Sequence, residues 1–170
     1  DREEVPLDAV PESLQQAVIG IEDRTFYTHQ GINIRSAVRA LFSNIEAGDI
    51  EQGGSTITQQ LIKNSLLDSN QTLDRKIKEA VLAVRLEDQM SKKEILERYL
   101  NTVYLGHGAY GVQAASETYF GRTVDQIGWP EAALLTALIR NPVGYDPIEY
   151  PKVATARRAL VARTLRSQDI

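Results

Sequence analysis

Glu22-Asp23-Arg24-Thr25-Phe26-Tyr27-Thr28-His29-Gln30-Gly31 is the stretch on which the reading of this chain turns. It follows Leu14, Ala17, Val18 and Ile21, whose i, i+3, i+4, i+7 spacing predicts a helix with a core-facing stripe that ends near Glu22. Glu22 extends the Leu14/Val18 row by one turn, so a carboxylate closes an apolar ridge where the helix gives way to an aromatic and polar loop. Partial withdrawal from water disfavours the charged form of such an acid and raises its pKa, which suits a group that takes a proton in one step and holds it. On this segment alone a plainer alternative stands beside it: an acid that ends a helix with its head in solvent.

The neighbouring segments repeat the helical theme. Pro6 and Pro11 keep the opening extended, and Asn33 is placed to cap a second helix carrying Ile34, Val38, Leu41, Phe42 and Ile45, which Gly48-Asp49 stops. Arg35 and Arg39 flank that apolar face, a pattern that fits the core or a bilayer surface. Gly53-Gly54-Ser55 leads into a helix opened by a capping box, Thr56 with Gln59, and Lys63 lies two turns in. Its first-turn N–H groups are open to an anion, though the spacing is not that of a P-loop. A fourth helix, about Thr72 to Gln89, has Leu73, Ile77, Ala80, Val81 and Val84 as its expected inner stripe. Ser91 and Glu94 box the start of the next, with Ile95, Leu96, Tyr99, Leu100 and Val103 inward. A sixth element runs from about Ala109 to Tyr119 and stops at Gly121, and Thr123 to Gln126 forms a short turn. Pro130 starts an almost wholly apolar helix, Glu131 to Ile139, that Arg140-Asn141-Pro142 breaks. The last helix, from about Lys152, is expected to turn Val153, Leu160, Val161 and Leu165 inward and its arginines outward. No alternating strand and no repeat is visible, so the fold class is mostly α.

At 170 residues with 42% hydrophobic content, the chain is one domain's worth, 1–170, with enough apolar material for a core. A net charge of −4 and a pI near 5.3 argue against a general nucleic-acid binder. Without cysteine there is no disulfide framework or thiolate site, and His29 and His107 are too few for a histidine-rich metal centre. No run reaches the roughly 18 to 20 apolar residues of a membrane-spanning helix. The abrupt termini read as those of a domain excised from a longer protein.

Chemistry concentrates in two carboxylates and a cationic set. Arg75, Lys76 and Glu79 share one helix face, which by itself reads as an exposed ion pair contributing roughly 0.3–0.5 kcal/mol. Leu82 and Leu86 border that face, so it also reads as a charged group set against apolar surface. Paired acids suit sugar chemistry, with one handling a proton and the other assisting across the ring. Lys63, Arg75 and Lys76 add what a simple hydrolase does not need: fixed positive charge for a departing phosphate or pyrophosphate.

Five segments in register resemble the peptidoglycan glycosyltransferase domain, glycosyltransferase family 51, of class A penicillin-binding proteins and monofunctional transglycosylases. They are Glu22-Asp23 with Phe26, His29 and Gly31; Gly54 to Gln60; Arg75 to Glu79; Ile95 to Asn101; and Arg140 with Pro142, Tyr145 and Pro147. The resemblance implies a lysozyme-like helical fold with a membrane-proximal jaw, residues 32–51 being its mobile membrane-facing segment and Phe42 touching lipid. It implies polymerisation of lipid II into β-1,4 glycan strands, with inversion and release of undecaprenyl pyrophosphate. Carried over residue by residue, Glu22 is the general base. Glu79 assists at the donor site, by protonating the leaving group or by binding a divalent cation. Lys63, Arg75 and Lys76 hold the pyrophosphate. Ser55, Thr56, Gln59, Gln60 and Arg140 line the donor side, Glu97 and Asn101 hold the cleft in shape, and Phe26 and His29 brace the first motif. Gly48-Asp49-Ile50-Glu51 departs from members that carry a basic residue there.

The implied partners are lipid II as donor and acceptor, the growing glycan strand and the membrane, with no nucleic acid and with a fused transpeptidase domain in bifunctional parents. No cofactor is obligatory; Mg or Mn is admitted but not required, and no resident metal site is expected. The implied location is the extracytoplasmic face of the bacterial cytoplasmic membrane, anchored by a transmembrane helix outside this sequence, and moenomycin sensitivity follows from the family. Two other readings stay open at this point: a lysozyme-like hydrolase or lytic transglycosylase, and a non-catalytic membrane-surface module.

Overall fold

A computed structural model describes residues 3–33, 54–66 and 73–170. Phe42 and the helix expected after Asn33 lie outside the described residues, as does the jaw segment beyond Asn33. The described residues form helices α1 (Glu12–Glu22), α2 (Ile57–Leu66), α3 (Leu73–Gln89), α4 (Lys92–Thr102), α5 (Val112–Phe120), α6 (Trp129–Arg140) and α7 (Pro151–Arg166). Short 3-10 turns occur at Leu7–Ala9 and Val124–Gln126, and the only β pairing among the described residues is two isolated bridges. The mostly-α expectation holds. The chain divides into two compact units, 1–24 with 97–170, and 25–96, so one boundary falls inside α4.

In the first unit α6 is the central helix. Every residue from Ala132 to Leu138 is buried, and α1, α5 and α7 pack on it. Each fully buried Leu or Val there contributes about 1.5–3 kcal/mol relative to exposure. Gly20 lets α1 approach α7 closely, because a Cβ at that position would come within 2.8 Å of the Leu165 side chain. The extended N-terminal segment is held by hydrogen bonds as well as by the buried Val10. Asn101 on α4 accepts from the Val5 N–H at 3.0 Å and donates to the Val5 carbonyl at 2.8 Å, while Glu97 accepts from the Leu7 N–H at 2.7 Å. The loop between α4 and α5 departs from the sequence expectation. A Tyr104–Tyr110 bridge and Gly111 at φ +86° delay α5 to Val112, since Gly111 sits against the Asn101 carbonyl, where no Cβ fits.

In the second unit the expected capping boxes are present. Thr56 N–H donates to Gln59 Oε1 at 2.9 Å and Gln59 N–H to Thr56 Oγ1 at 3.1 Å, while Ser91 and Glu94 make the corresponding pair at the start of α4. Thr56 also donates its hydroxyl to the Gly31 carbonyl at 2.6 Å. Gly31, at φ +76°, lays its backbone on α3 so closely that a Cβ would be 2.6 Å from Ala83 and Val84 backbone atoms.

Two helices are rotated from the expected faces. On α3, Ile77 and Val81 are 56% and 46% exposed, whereas Glu79 and Ala83 are buried. The close approach of Gly31 to Ala83, with the polar contacts of Glu79 and Glu87 described below, fixes the rotation against the apolar pattern. On α7, Ala154, Val161 and Leu165 face inward, but Val153 and Leu160 are turned out and, with Lys152, Arg157 and Arg163, line a shallow open groove. The i, i+7, i+11 row of small and branched residues wins because Leu165 meets the glycine of α1, and Arg157 stacks 4.6 Å over the Tyr145 ring.

Candidate active site

In the first unit, Glu22 is the last residue of α1 and is half-buried; Asp23, which follows as the C-cap, is buried. No basic residue occupies the last turn of α1, so two acids stand at the negative end of the helix dipole, a placement that stability does not favour. Tyr99 of α4 is fully buried. Burial first, and then the negative charges of Glu22 and Asp23, push its phenol well above its ordinary pKa, so the two carboxylates face a neutral O–H across working pH. Arg140, at the C-terminal end of α6, is exposed.

In the second unit the structure brings together three of the residues singled out in the sequence. The Lys76 ammonium donates to Glu79 Oε1 at 2.6 Å and to Ser55 Oγ at 2.7 Å. The Glu79 side chain is 1% exposed while that of Lys76 is 52% exposed, so this is not the surface ion pair of the simpler reading. Glu79 Oε2 is buried and accepts no hydrogen bond. Burying a carboxylate oxygen without a donor is costly, and a fold keeps such an arrangement where the group is used. Arg75 is half-buried on the same helix, and Lys63 is exposed in the last turn of α2, the end where a cation is favoured.

Thr56 and Gln59 are used inside the scaffold. Both are buried, and their side chains are engaged in the capping box and on Gly31, so of the polar pair Gln59/Gln60 only Gln60 is partly exposed. A divalent cation at Glu79 would meet one unengaged carboxylate oxygen beside an ammonium. Mg²⁺ asks for octahedral oxygen ligation, and the described residues contain no cluster of three His, Asp or Glu side chains. That donor set falls short of a cation cage.

Sequence reasoning passed over a second buried cluster in the same unit. Thr58 Oγ1 donates to Glu87 Oε1 at 2.5 Å, and Lys92 Nζ lies 2.7 Å from both Glu87 oxygens, with a hydrogen bond to Oε1. The Lys92 ammonium is also 3.4 Å from His29 Nδ1 and 4.6 Å over the Phe26 ring. Phe26 and His29 therefore brace their loop through a lysine that the pattern had shown only as part of a capping box. The one available signal was Thr58, a polar residue between Ile57 and Gln59 on the buried side of α2.

The transglycosylase family model matches residues 1–166. Penicillin-binding protein 1A of Aquifex aeolicus is 50% identical over 161 residues, covering 95% of this chain and 22% of that protein. Penicillin-binding protein 1F of Bacillus subtilis is 42% identical over 168 residues, covering 99% and 24%, and penicillin-binding protein 1A of Escherichia coli is 45% identical over 157 residues, covering 92% and 18%. The chain thus spans about a quarter or less of the length of these relatives. The crystal structure of penicillin-binding protein 1A from Haemophilus influenzae shares the fold, with a TM-score of 0.55 at 24% identity over 99% of this chain and 16% of that one.

Proposed function

Because the chain belongs to the transglycosylase family, we propose that it polymerises lipid-linked disaccharide-peptide, lipid II, into β-1,4 glycan strands with release of undecaprenyl pyrophosphate. Glu22 takes the proton from the acceptor sugar's 4-hydroxyl. That oxygen forms its bond to the donor's anomeric carbon as the bond to pyrophosphate breaks, and the configuration inverts. Negative charge gathers on the leaving pyrophosphate, and Lys63, Arg75 and Lys76 are the fixed cations that stabilise it. Glu79 holds the Lys76 ammonium in place, with Ser55 as the second anchor.

The observation that carries this reading is the buried Glu79 with its half-exposed lysine. A hydrolase that only cuts a neutral glycosidic bond has no use for an ammonium anchored in this way. The parent protein works at the extracytoplasmic membrane surface, where its lipid-linked substrate resides, and moenomycin competes at the donor side.

The test is incubation of the domain with labelled lipid II in detergent. The wild type makes polymer, and Glu22→Gln loses about 10²–10⁴ in rate while its circular dichroism is unchanged. Ordinary turnover by Glu22→Gln rejects the general base. Digestion of preformed strands without polymerisation replaces the reading with that of a hydrolase.

A further inference from the structure

The Glu87 carboxylate holds two groups from segments that are separate in sequence, with a third beside it, and none of those contacts is needed to form a helix. Thr58 comes from the second residue of α2, Lys92 from the first residue of α4, and His29, whose Nδ1 is 3.9 Å from Glu87 Oε1, from the loop after Glu22. The Glu87 side chain is 4% exposed and Thr58 not at all, so water does not compete for these bonds. A buried ion pair is a poor source of net stability compared with apolar packing, and its best-attested use is to fix one arrangement among several. Between the start of α2 and α3 the Thr58–Glu87 bond is one polar tie, and Lys76 Nζ to Ser55 Oγ is another.

We propose that Thr58, anchored by the Glu87–Lys92 pair, is a positioning residue for the donor side of the site. It fixes the first turn of α2, and with it Ser55, Gln60 and Lys63, relative to Lys76 and Glu79 on α3. The proposal rests on the lipid II polymerase reading above, in which those residues handle the departing pyrophosphate.

Thr58→Val is the informative variant, because it keeps the shape and removes one hydroxyl while leaving the ion pair whole. Misplacing a charge-stabilising group by a fraction of its contact distance lowers turnover more than binding, so kcat is expected to fall about tenfold with KM within about twofold. The thermal midpoint should move little, and Thr58→Ser, which restores the hydroxyl, should return kcat to within about twofold of wild type. Amide hydrogen exchange at Gln59 and Gln60 should quicken in Thr58→Val and not in Thr58→Ser. Unchanged kcat in Thr58→Val overturns the positioning role. So does a loss of activity that Thr58→Ser shares, or that follows unfolding. Should the wild type fail to polymerise lipid II at all, the functional reading has failed, and hydrogen exchange then judges the anchor separately: unaltered exchange at Gln59 and Gln60 overturns it.

Discussion

Replacing Asn101 with alanine tests the claim that a few hydrogen bonds hold the N-terminal segment in place. The side chain is 5% exposed and makes three hydrogen bonds, two with the Val5 backbone and one with the Glu97 carbonyl at 3.0 Å. The Glu97 carbonyl keeps its helical partner in the variant, but the Val5 N–H and C=O lose theirs in a partly buried setting. Two such orphans at about 1–1.5 kcal/mol each give a loss of about 2–3 kcal/mol. With a urea dependence of about 2–3 kcal/mol/M, the midpoint of unfolding should fall by about 1 M, and exchange of the Val5 amide should rise toward the rate of an open chain. Asn101→Asp should be worse at neutral pH, because a carboxylate still accepts from Val5 N–H but faces the Val5 and Glu97 carbonyls with no proton to give. Acidification should recover part of that loss as the introduced group protonates and donates. A midpoint shift below about 0.2 M in Asn101→Ala would refute the reasoning, since it is under a fifth of the expected loss.

Gly31→Ala adds a Cβ at φ +76° and 2.6 Å from the α3 backbone, so strain and overpacking together should cost about 2–5 kcal/mol. Gly108→Ala, at φ +73° with nothing within 4 Å of the new atom, should show only the strain, about 1–2 kcal/mol; equal thermal shifts for the two variants would deny the close approach. Burial pushes the Asp146 carboxyl up, but the N–H groups of Ile148 and Glu149 and the His107 ring at 2.6 Å outweigh it and hold the carboxyl below its ordinary value. A depressed folded-state pKa contributes stability above about pH 4 that is lost as the pH falls through the folded value. The gap between wild type and Asp146→Asn in acid unfolding should therefore close below about pH 4. A gap that stays constant to about pH 2 counts against it.

The elements were legible because local rules and tertiary packing agree in them. Thr56 with Gln59 and Ser91 with Glu94 announce two helix starts, and the buried row Ile95, Leu96, Tyr99, Leu100 and Val103 follows the helical period. Where they conflict, the sequence misleads. Ile77 and Val81 continue an apolar row yet face solvent, because α3 is turned by a glycine backbone at Ala83 and by two inward acids. Val153 and Leu160 are outside for a similar reason, the contact of Leu165 with Gly20. The Lys76–Glu79 pair could be picked out because charge beside an apolar ridge is visible in a row of residues. That Thr56 also reaches the Gly31 carbonyl, and that Glu87, Lys92 and Thr58 meet, could not be seen. Those contacts join residues up to 29 positions apart, and spacing along one helix carries no trace of them.

The hydrogen bonds from Val5 and Leu7 to Glu97 and Asn101 also set an order of assembly. A ribosome adding roughly 5–20 residues per second exposes the first 24 residues several seconds before their α4 partners exist. The 25–96 unit, continuous in sequence, has the whole of its chain in hand by then. During synthesis this segment is an unsatisfied edge awaiting its dock, and slowing translation beyond the codon for Leu96 should lengthen its sensitivity to protease without exposing the unit already made.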